Sequence, residues 1–353
     1  MEKPGFCSQM FMRVKISPFI WCFLLLIVAI MLSAAIGAVS IPPLDVARLL
    51  LGKLPFVQIV PTWPSTYETI LFDIRLPRTL LILLAGAALS GSGAAYQGLF
   101  RNPLADPYII GVASGAGLGA VIAMGLQWPA TLLGALVIPI AAFIGALITV
   151  GVVYGLARVG HGTPVATLIL AGVAIGSFTT AMTTFLMLSS QAELRRAISW
   201  MLGGFAFGGW LPVLAIVPYI VVGLIALSLL GRALNVLQFG DDQAQQLGLR
   251  VDRVKLIVVI AASLTTAAAV AFAGIIGFVG LAVPHVVRLL WGGDYRRLIP
   301  LSIIAGAALL LLADILARTI IAPQEVPLGV VTAMFGAPFF LWLLRRTKRQ
   351  TYW

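Results

Sequence analysis

The sequence predicts an all-α polytopic membrane protein, and three observations carry that expectation. Of 353 residues, 61% are apolar and 10% are charged, against about a quarter charged in soluble domains. Mean hydropathy is +1.07. The charged residues are confined to short segments between long charge-free runs, the arrangement of membrane spans and their loops. A soluble domain of this size must cover its surface with polar groups, and 23 basic with 12 acidic residues are too few. That excludes an ordinary cytosolic enzyme and a disordered chain. The +11 charge does not indicate nucleic acid, because the basic residues sit in loops between apolar runs.

A span needs about 20 mostly apolar residues. Charge-free stretches run 16–44, 79–100, 107–157, 159–192, 197–231, 256–287, 298–313 and 326–344. The stretch 107–157 divides at Trp128-Pro129. The stretch 256–287 divides at Gly274, because Gly274, Gly277, Gly280 and Pro284 interrupt it. Ten helices result, at roughly 17–39, 78–99, 108–126, 130–157, 164–189, 210–231, 255–273, 276–291, 298–317 and 326–345. With the N-terminus inside, the inner segments hold 16 Lys and Arg and the outer segments 7, as the positive-inside rule requires. An odd count would put the basic tail RRTKR outside, so parity supports the division at Gly274. Both termini are then cytoplasmic, and residues 1–353 form one membrane domain.

The N-terminus has two readings. Lys3, Arg13 and Lys15 before an apolar run and LSAAIGAVS resemble a signal peptide. The uncharged run from 16 to 44 is longer than such a segment needs, which favours a retained first helix. The largest outer loop, 40–76, carries Pro42, Pro43, Pro55, Pro61 and Pro64 and no further span. The largest inner loop is 232–254.

Chemistry-bearing motifs are absent. No G-x-x-x-x-G-K-[ST] loop for ATP phosphates occurs, and no H-E-x-x-H or G-x-S-x-G. Cys7 and Cys22 have no metal or disulfide spacing. His161 and His285 are lone histidines, read as structural rather than as ligands. Ion-coupled transporters place acids within spans, and the main candidate here is Asp314. Arg318 lies four residues on, where an i,i+4 pair satisfies it. The dense small-residue run GVASGAGLGA at 111–120 permits close helix packing or an unwound cavity lining.

Segment 239–254, FGDDQAQQLGLRVDRV, predicts a short helix in the large inner loop. Asp241 or Asp242 is expected to cap its start and Gly248 to close it in a left-handed turn. Ala244 and Leu247, three apart, are expected to share one face.

Several strings together resemble one family. RLPRTLLILLAGAALSGSGAAYQGLFRNPLADPYIIGVASGAGLG (75–119), QAQQLGL (243–249), AGIIGFVGLAVPHVVRLL (273–290), LLLADILAR (310–318) and EVPLGVVTAMFGAPFFLWLL (325–344) are similar, in order, to motifs of the FecCD-type permeases. These are the membrane subunits of ABC importers for iron–siderophores, haem and cobalamin. The resemblance covers about 17 to 346. It implies a permease subunit, not an enzyme, in a bacterial or archaeal inner membrane. It also implies a homodimer with the pathway between subunits, surrounded by membrane lipid, with two ABC ATPase subunits below and a substrate-binding protein above. The ATPases bind ATP and Mg, and this chain holds no cofactor or metal and binds no nucleic acid.

The resemblance implies three sites. Gly240, Asp241, Asp242, Gln243, Ala244, Leu247 and Gly248 dock the ATPase. Arg75, Arg78 and Arg318 meet acidic residues of the binding protein. Thr163, Val165, Ala166 and Thr167 match the cytoplasmic gate. The competing reading is an ion-coupled secondary transporter using Asp314.

Overall fold

A computed structural model describes residues 17–37, 39–53, 63–126, 132–160, 162–188, 191–204 and 208–350. Lys3, Cys7, Arg13, Lys15, Pro55, Pro61, Trp128-Pro129 and His161 lie outside them. Among the described residues the regular structure is helical, apart from an isolated antiparallel bridge between Val159 and Gly162. In chain order the helices are α1 (Pro18–Ala35), α2 (Pro43–Gly52), α3 (Ser65–Leu99), α4 (Val112–Gly125), α5 (Leu132–Ala157), α6 (Val165–Leu188) and α7 (Gln191–Met201). Then follow α8 (Leu211–Leu229), α9 (Gly231–Leu237), α10 (Asp241–Gln246), α11 (Val251–Ala273), α12 (Val279–Trp291), α13 (Tyr295–Thr319) and α14 (Leu328–Gln350).

Seven of these (α1, α3, α5, α6, α8, α11 and α13) are long and apolar enough to cross a membrane. The shorter apolar helices are α4, α12 and the Leu328–Trp342 part of α14. Each of the ten segments expected from the sequence falls on one of these helices. Helix starts carry local signals: Pro18, Pro43 and Pro212 occupy first-turn positions where a missing N–H is harmless. Asp294 caps α13 by accepting the Arg296 amide at 3.0 Å.

Helix α3 is the hub. Every residue from Ala85 to Leu99 is buried, with α13, α11, α12 and α8 around it. Small residues make that possible. A methyl on Gly86 would run into the carbonyl oxygen of Gly306, and one on Gly93 into that of Gly280. In hydrocarbon, helix association rests on such close backbone approach and on interhelical hydrogen bonds. Tyr96 supplies one, its hydroxyl 2.8 Å from that of Ser263 on α11.

The division near Gly274 falls where the sequence places it. Gly274 adopts φ +71° and ends α11, and Phe278 adopts φ +68° before α12. The unwound backbone between them needs partners away from water. The Tyr108 hydroxyl provides two, donating to the Ile276 carbonyl at 2.9 Å and accepting its amide at 3.2 Å.

Two segments differ from expectation. The 40–76 loop contains α2, and α3 begins at Ser65 rather than near 78. Residues Ile70–Arg75 form a π-helical turn within it. Pro77 has no N–H to give the carbonyl of Asp73, and its ring crowds that turn, so the ladder widens there. Trp210 donates to the Phe72 carbonyl of this widened turn at 3.0 Å. Ile41, Val46, Leu49 and Leu71 join Ala34 and Ala35 in a small second core. Local turn chemistry, read as a loop, is overridden by this burial. The expected outer loop after α6 also holds a helix, α7, with Ala197 and Trp200 buried three apart and Arg195 and Arg196 exposed.

Candidate functional sites at the two ends of the bundle

Arg78 and Leu99 are 21 residues apart on α3, about 32 Å at 1.5 Å per residue, and mark two ends of the helix bundle. Each end gathers charged side chains, and each holds residues singled out in the sequence.

At the first end, Asp314 is fully buried. Nη2 of Arg78 lies 2.9 Å from its Oδ1, and Nε of Arg318 lies 2.8 Å from its Oδ2, within ion-pair distance though not aligned for a hydrogen bond. The expected i,i+4 pair is present, and a second arginine joins it from α3. Arg78 also reaches Glu325 at 2.9 Å, and that carboxylate is half exposed.

The other two arginines close the end of α1. Arg75 is 5% exposed. It donates to the carbonyls of Ala34 at 2.7 Å, Ala35 at 2.9 Å and Val39. Arg318 donates to Ile36 at 3.2 Å and to the Ser33 hydroxyl at 3.2 Å. The last carbonyls of a helix lack intrahelical donors and carry the negative end of its dipole, so cations there satisfy both needs. Gly37 leaves room for it, because a Cβ there would lie 2.7 Å from Nη2 of Arg75 and the guanidinium would have to shift. Arg75 is buried where the expectation had an outward docking cation, and three of its N–H donors go to carbonyls at and just beyond the end of α1. Arg78 is the more exposed of the two arginines that hold Asp314.

At the second end stands α10. Its N-cap is Gly240, with φ +106°, and both Asp241 and Asp242 lie inside the first turn instead of capping it. Asp241 is engaged elsewhere: Nζ of Lys255 lies 2.5 Å from its Oδ2 and Nη2 of Arg101 3.8 Å from its Oδ1. The helix closes as expected. Gly248 has φ +84°. Its amide bonds the Gln245 carbonyl at 2.9 Å, and the Leu249 amide bonds that of Ala244 at 2.9 Å, the paired bonds of a Schellman ending.

The expected shared face of Ala244 and Leu247 is corrected. Ala244 is fully buried and Leu247 is 68% exposed, because the helix ends at Gln246 and Leu247 turns away in the cap. Asp242, Gln243, Gln245 and Gln246 are exposed beside it.

Lys255 also donates to the Thr163 carbonyl at 3.1 Å. This joins α10 to the turn before α6, which carries the expected gate residues. Thr163 is buried. Val165 starts α6, with Ala166 exposed after it. The Thr167 hydroxyl contacts the carbonyls of Pro164 at 2.8 Å and Ala157 at 2.9 Å. Sequence reasoning placed Lys255 on the inner side but gave it no role, since no helical period joins it to Asp241 or Thr163. It also left out Glu325 and Ser33.

No group of three or more His, Cys, Asp or Glu residues fit to hold a metal occurs among the described residues. His285 lines α12 without such neighbours. A cavity of about 660 Å³ opens between α1, α12, α13 and α14, lined by Trp21, Phe278, Phe335 and Phe339 among others. Its walls are almost wholly apolar, without the convergent polar groups that orient a polar ligand.

A many-helix apolar bundle with an exposed short helix at one end and an arginine–carboxylate cluster at the other is the architecture of a multi-pass membrane protein. The model of the FecCD transport family matches residues 25–346. The chain belongs to that family and is a FecCD-type permease of an ABC importer. It is 42% identical to an ABC transporter permease of Bacillus subtilis over 93% of both chains. It is 48% identical to a cobalamin import permease of Halobacterium salinarum, over 80% of this chain and 75% of that one. To a hemin transport permease of Yersinia pestis it is 42% identical, over 79% and 84%. An ABC transporter of metal-chelate type, solved in an inward-facing conformation, superposes with TM-score 0.80 at 29% identity, over 93% of this chain and 98% of that chain.

Proposed function

We propose that the chain is the membrane-spanning subunit of an ATP-driven importer for cobalamin or an iron chelate, either haem or a siderophore. The identity of 48% and 42% with permeases named for cobalamin and hemin import carries this reading. In it all ten apolar helices cross a bacterial or archaeal cell membrane and both termini lie in the cytoplasm. Two copies enclose the pathway. Two ATPase subunits dock at the α10 end through Leu247, Gly248 and the exposed polar residues beside them. The binding protein docks at the Asp314 end, where Arg78 and Arg318 lie.

The chemistry suits this division of labour. The sequence carries no P-loop motif for ATP, so in this reading concentrative uptake draws its energy from a partner. The ATPases supply it by binding the inward- and outward-facing states unequally. Asp314 is the acid a secondary transporter would need, and it is held between two arginines. An arginine lies against each of its oxygens and none of its surface is exposed, so no face is left open to a transported ion, which argues against ion coupling through it.

The test is uptake into proteoliposomes holding the permease with its cognate ATPase and binding protein. One of cyanocobalamin, haemin or a ferric siderophore should enter only when ATP and binding protein are both present. Uptake driven by a proton or sodium gradient without ATPase would overturn the reading.

A further inference from the structure

Lys255 is a buried ammonium with two partners on two different elements. Its side chain is 6% exposed. One partner is the Asp241 carboxylate of α10 at 2.5 Å, and the other is the backbone carbonyl of Thr163 at 3.1 Å. The carbonyl belongs to a tight turn, in which Val159 and Gly162 exchange backbone bonds at 2.9 and 3.1 Å, directly before α6. Among the described residues no other side-chain hydrogen bond or ion pair joins α10 to this turn, and Arg101, the second cation near Asp241, is considerably more exposed.

We infer that Lys255 is a positioning residue that makes α10 and the Thr163 turn move as one body, so that displacement of α10 is delivered to the start of α6. The inference rests on the reading of α10 as the ATPase-docking element. A buried charge is tolerated only while it stays paired and hydrogen-bonded. If α10 shifted alone, the ammonium would lose its carboxylate inside the protein. If the turn shifted alone, it would lose its carbonyl. Both penalties vanish only when the two elements travel together. Asp241 also lies in the first turn of α10, where a carboxylate complements the helix N-terminus, so the tie grips the helix by its start. Spatial adjacency alone does not establish coupling, and the test therefore measures coupling.

The full complex of permease, ATPase and binding protein is reconstituted with Lys255→Met, Lys255→Arg, Asp241→Asn and the Lys255→Met/Asp241→Asn pair. Capture of the ATPase by immobilised permease and substrate taken up per ATP hydrolysed are both read. Lys255→Met should lower uptake per ATP about fivefold or more, with ATPase capture retained. Lys255→Arg should restore most of the ratio. Adding Asp241→Asn to Lys255→Met should change it less than about twofold, because the pair acts as a unit. If Lys255→Met does not yield folded protein, Asp241→Asn, at the more exposed end of the tie, must by itself lower the ratio. An unchanged ratio in Asp241→Asn and in any folded Lys255→Met overturns the inference, as does a full additive loss in the pair. Leu247→Asp is run alongside. If it leaves ATPase capture intact, the docking reading fails and the Lys255 inference falls with it. If it abolishes capture while the Lys255→Met ratio is normal, only the Lys255 inference falls.

Discussion

Arg78 Nη2 lies 2.9 Å from Oδ1 of Asp314, a carboxylate without exposed surface, although 236 residues separate them in the chain. With Arg318 on the other oxygen, this one carboxylate holds α3 to α13, and Arg318 in turn holds α1.

Removing the carboxylate should therefore damage the fold before it alters transport chemistry. Asp314→Ala leaves two facing arginines without their shared anion, and a broken buried pair is worth about 3–5 kcal/mol. Asp314→Asn keeps an acceptor oxygen and should lose less. Thermal unfolding in detergent checks the order. A variant that unfolds like the wild type yet has lost uptake would point instead to a coupling acid.

Glu325 occupies the more exposed side of Arg78. If Arg78 meets an acidic partner protein, Glu325 competes for it. Arg78→Glu should slow association with the binding protein by about tenfold or more, and Glu325→Gln should speed it severalfold, both effects shrinking in high salt. Arg195→Glu, on the exposed face of α7, serves as the control. Surface-based association kinetics at two salt concentrations give the answer. Arg75→Ala should lower the melting temperature through loss of the α1 carbonyl contacts.

At the other end, Leu247 is a large apolar side chain exposed beside a left-handed glycine. Leu247→Asp should weaken ATPase binding by about tenfold or more, the scale of an interface anchor. Gly248→Pro cannot adopt φ +84° and should do the same by unmaking the helix ending. Co-purification with the ATPase measures both, and undiminished recovery in the two variants would remove α10 from the interface.

The packing of α3 is testable without any partner. Gly93→Ala drives a methyl into the Gly280 carbonyl, whereas Gly117→Ala meets nothing within 4 Å. Overpacking of this kind costs about 1–3 kcal/mol, so the first variant should melt lower and the second close to wild type.

Burial pushes the Asp106 carboxyl up from 3.8 to about 6, only partly offset by the Tyr108 amide that it accepts. The folded protein then holds this proton to higher pH than the unfolded chain does. Stability should fall as pH rises from about 4 to 6 and level off above. At 1.36 kcal/mol per unit, this loss is on the order of 2–3 kcal/mol. Asp106→Asn should flatten that slope in melting temperatures measured from pH 4 to 7. An identical slope in the variant would assign the pH dependence to other groups.

The placement of the long helices was legible in the sequence because hydrocarbon imposes it locally. A span needs about 20 uncharged residues, and Gly274 breaks a run wherever it adopts a positive φ. The ending of α10 at Gly248 was legible for the same reason, since that cap is made of its own neighbours. The family was legible too, in motifs that keep their order along the chain. Helix α2 and the early start of α3 were not, because their apolar residues are short-spaced among prolines. They become helices by burying Leu49 and Leu71 against the end of α1.

The side-chain partnerships belong to the tertiary structure alone. Nothing local ties Arg75 to the carbonyls of Ala34 and Ala35, Arg78 to Asp314, or Lys255 to both Asp241 and Thr163. Sequence by itself determined an apolar bundle with basic loops, since a low dielectric acts on every residue wherever its neighbours lie. Which charges face a partner and which are consumed inside was decided only when α1, α3 and α13 packed together. A buried charge must find its counter-charge or an unsatisfied carbonyl, and those lay 14 to 236 residues away.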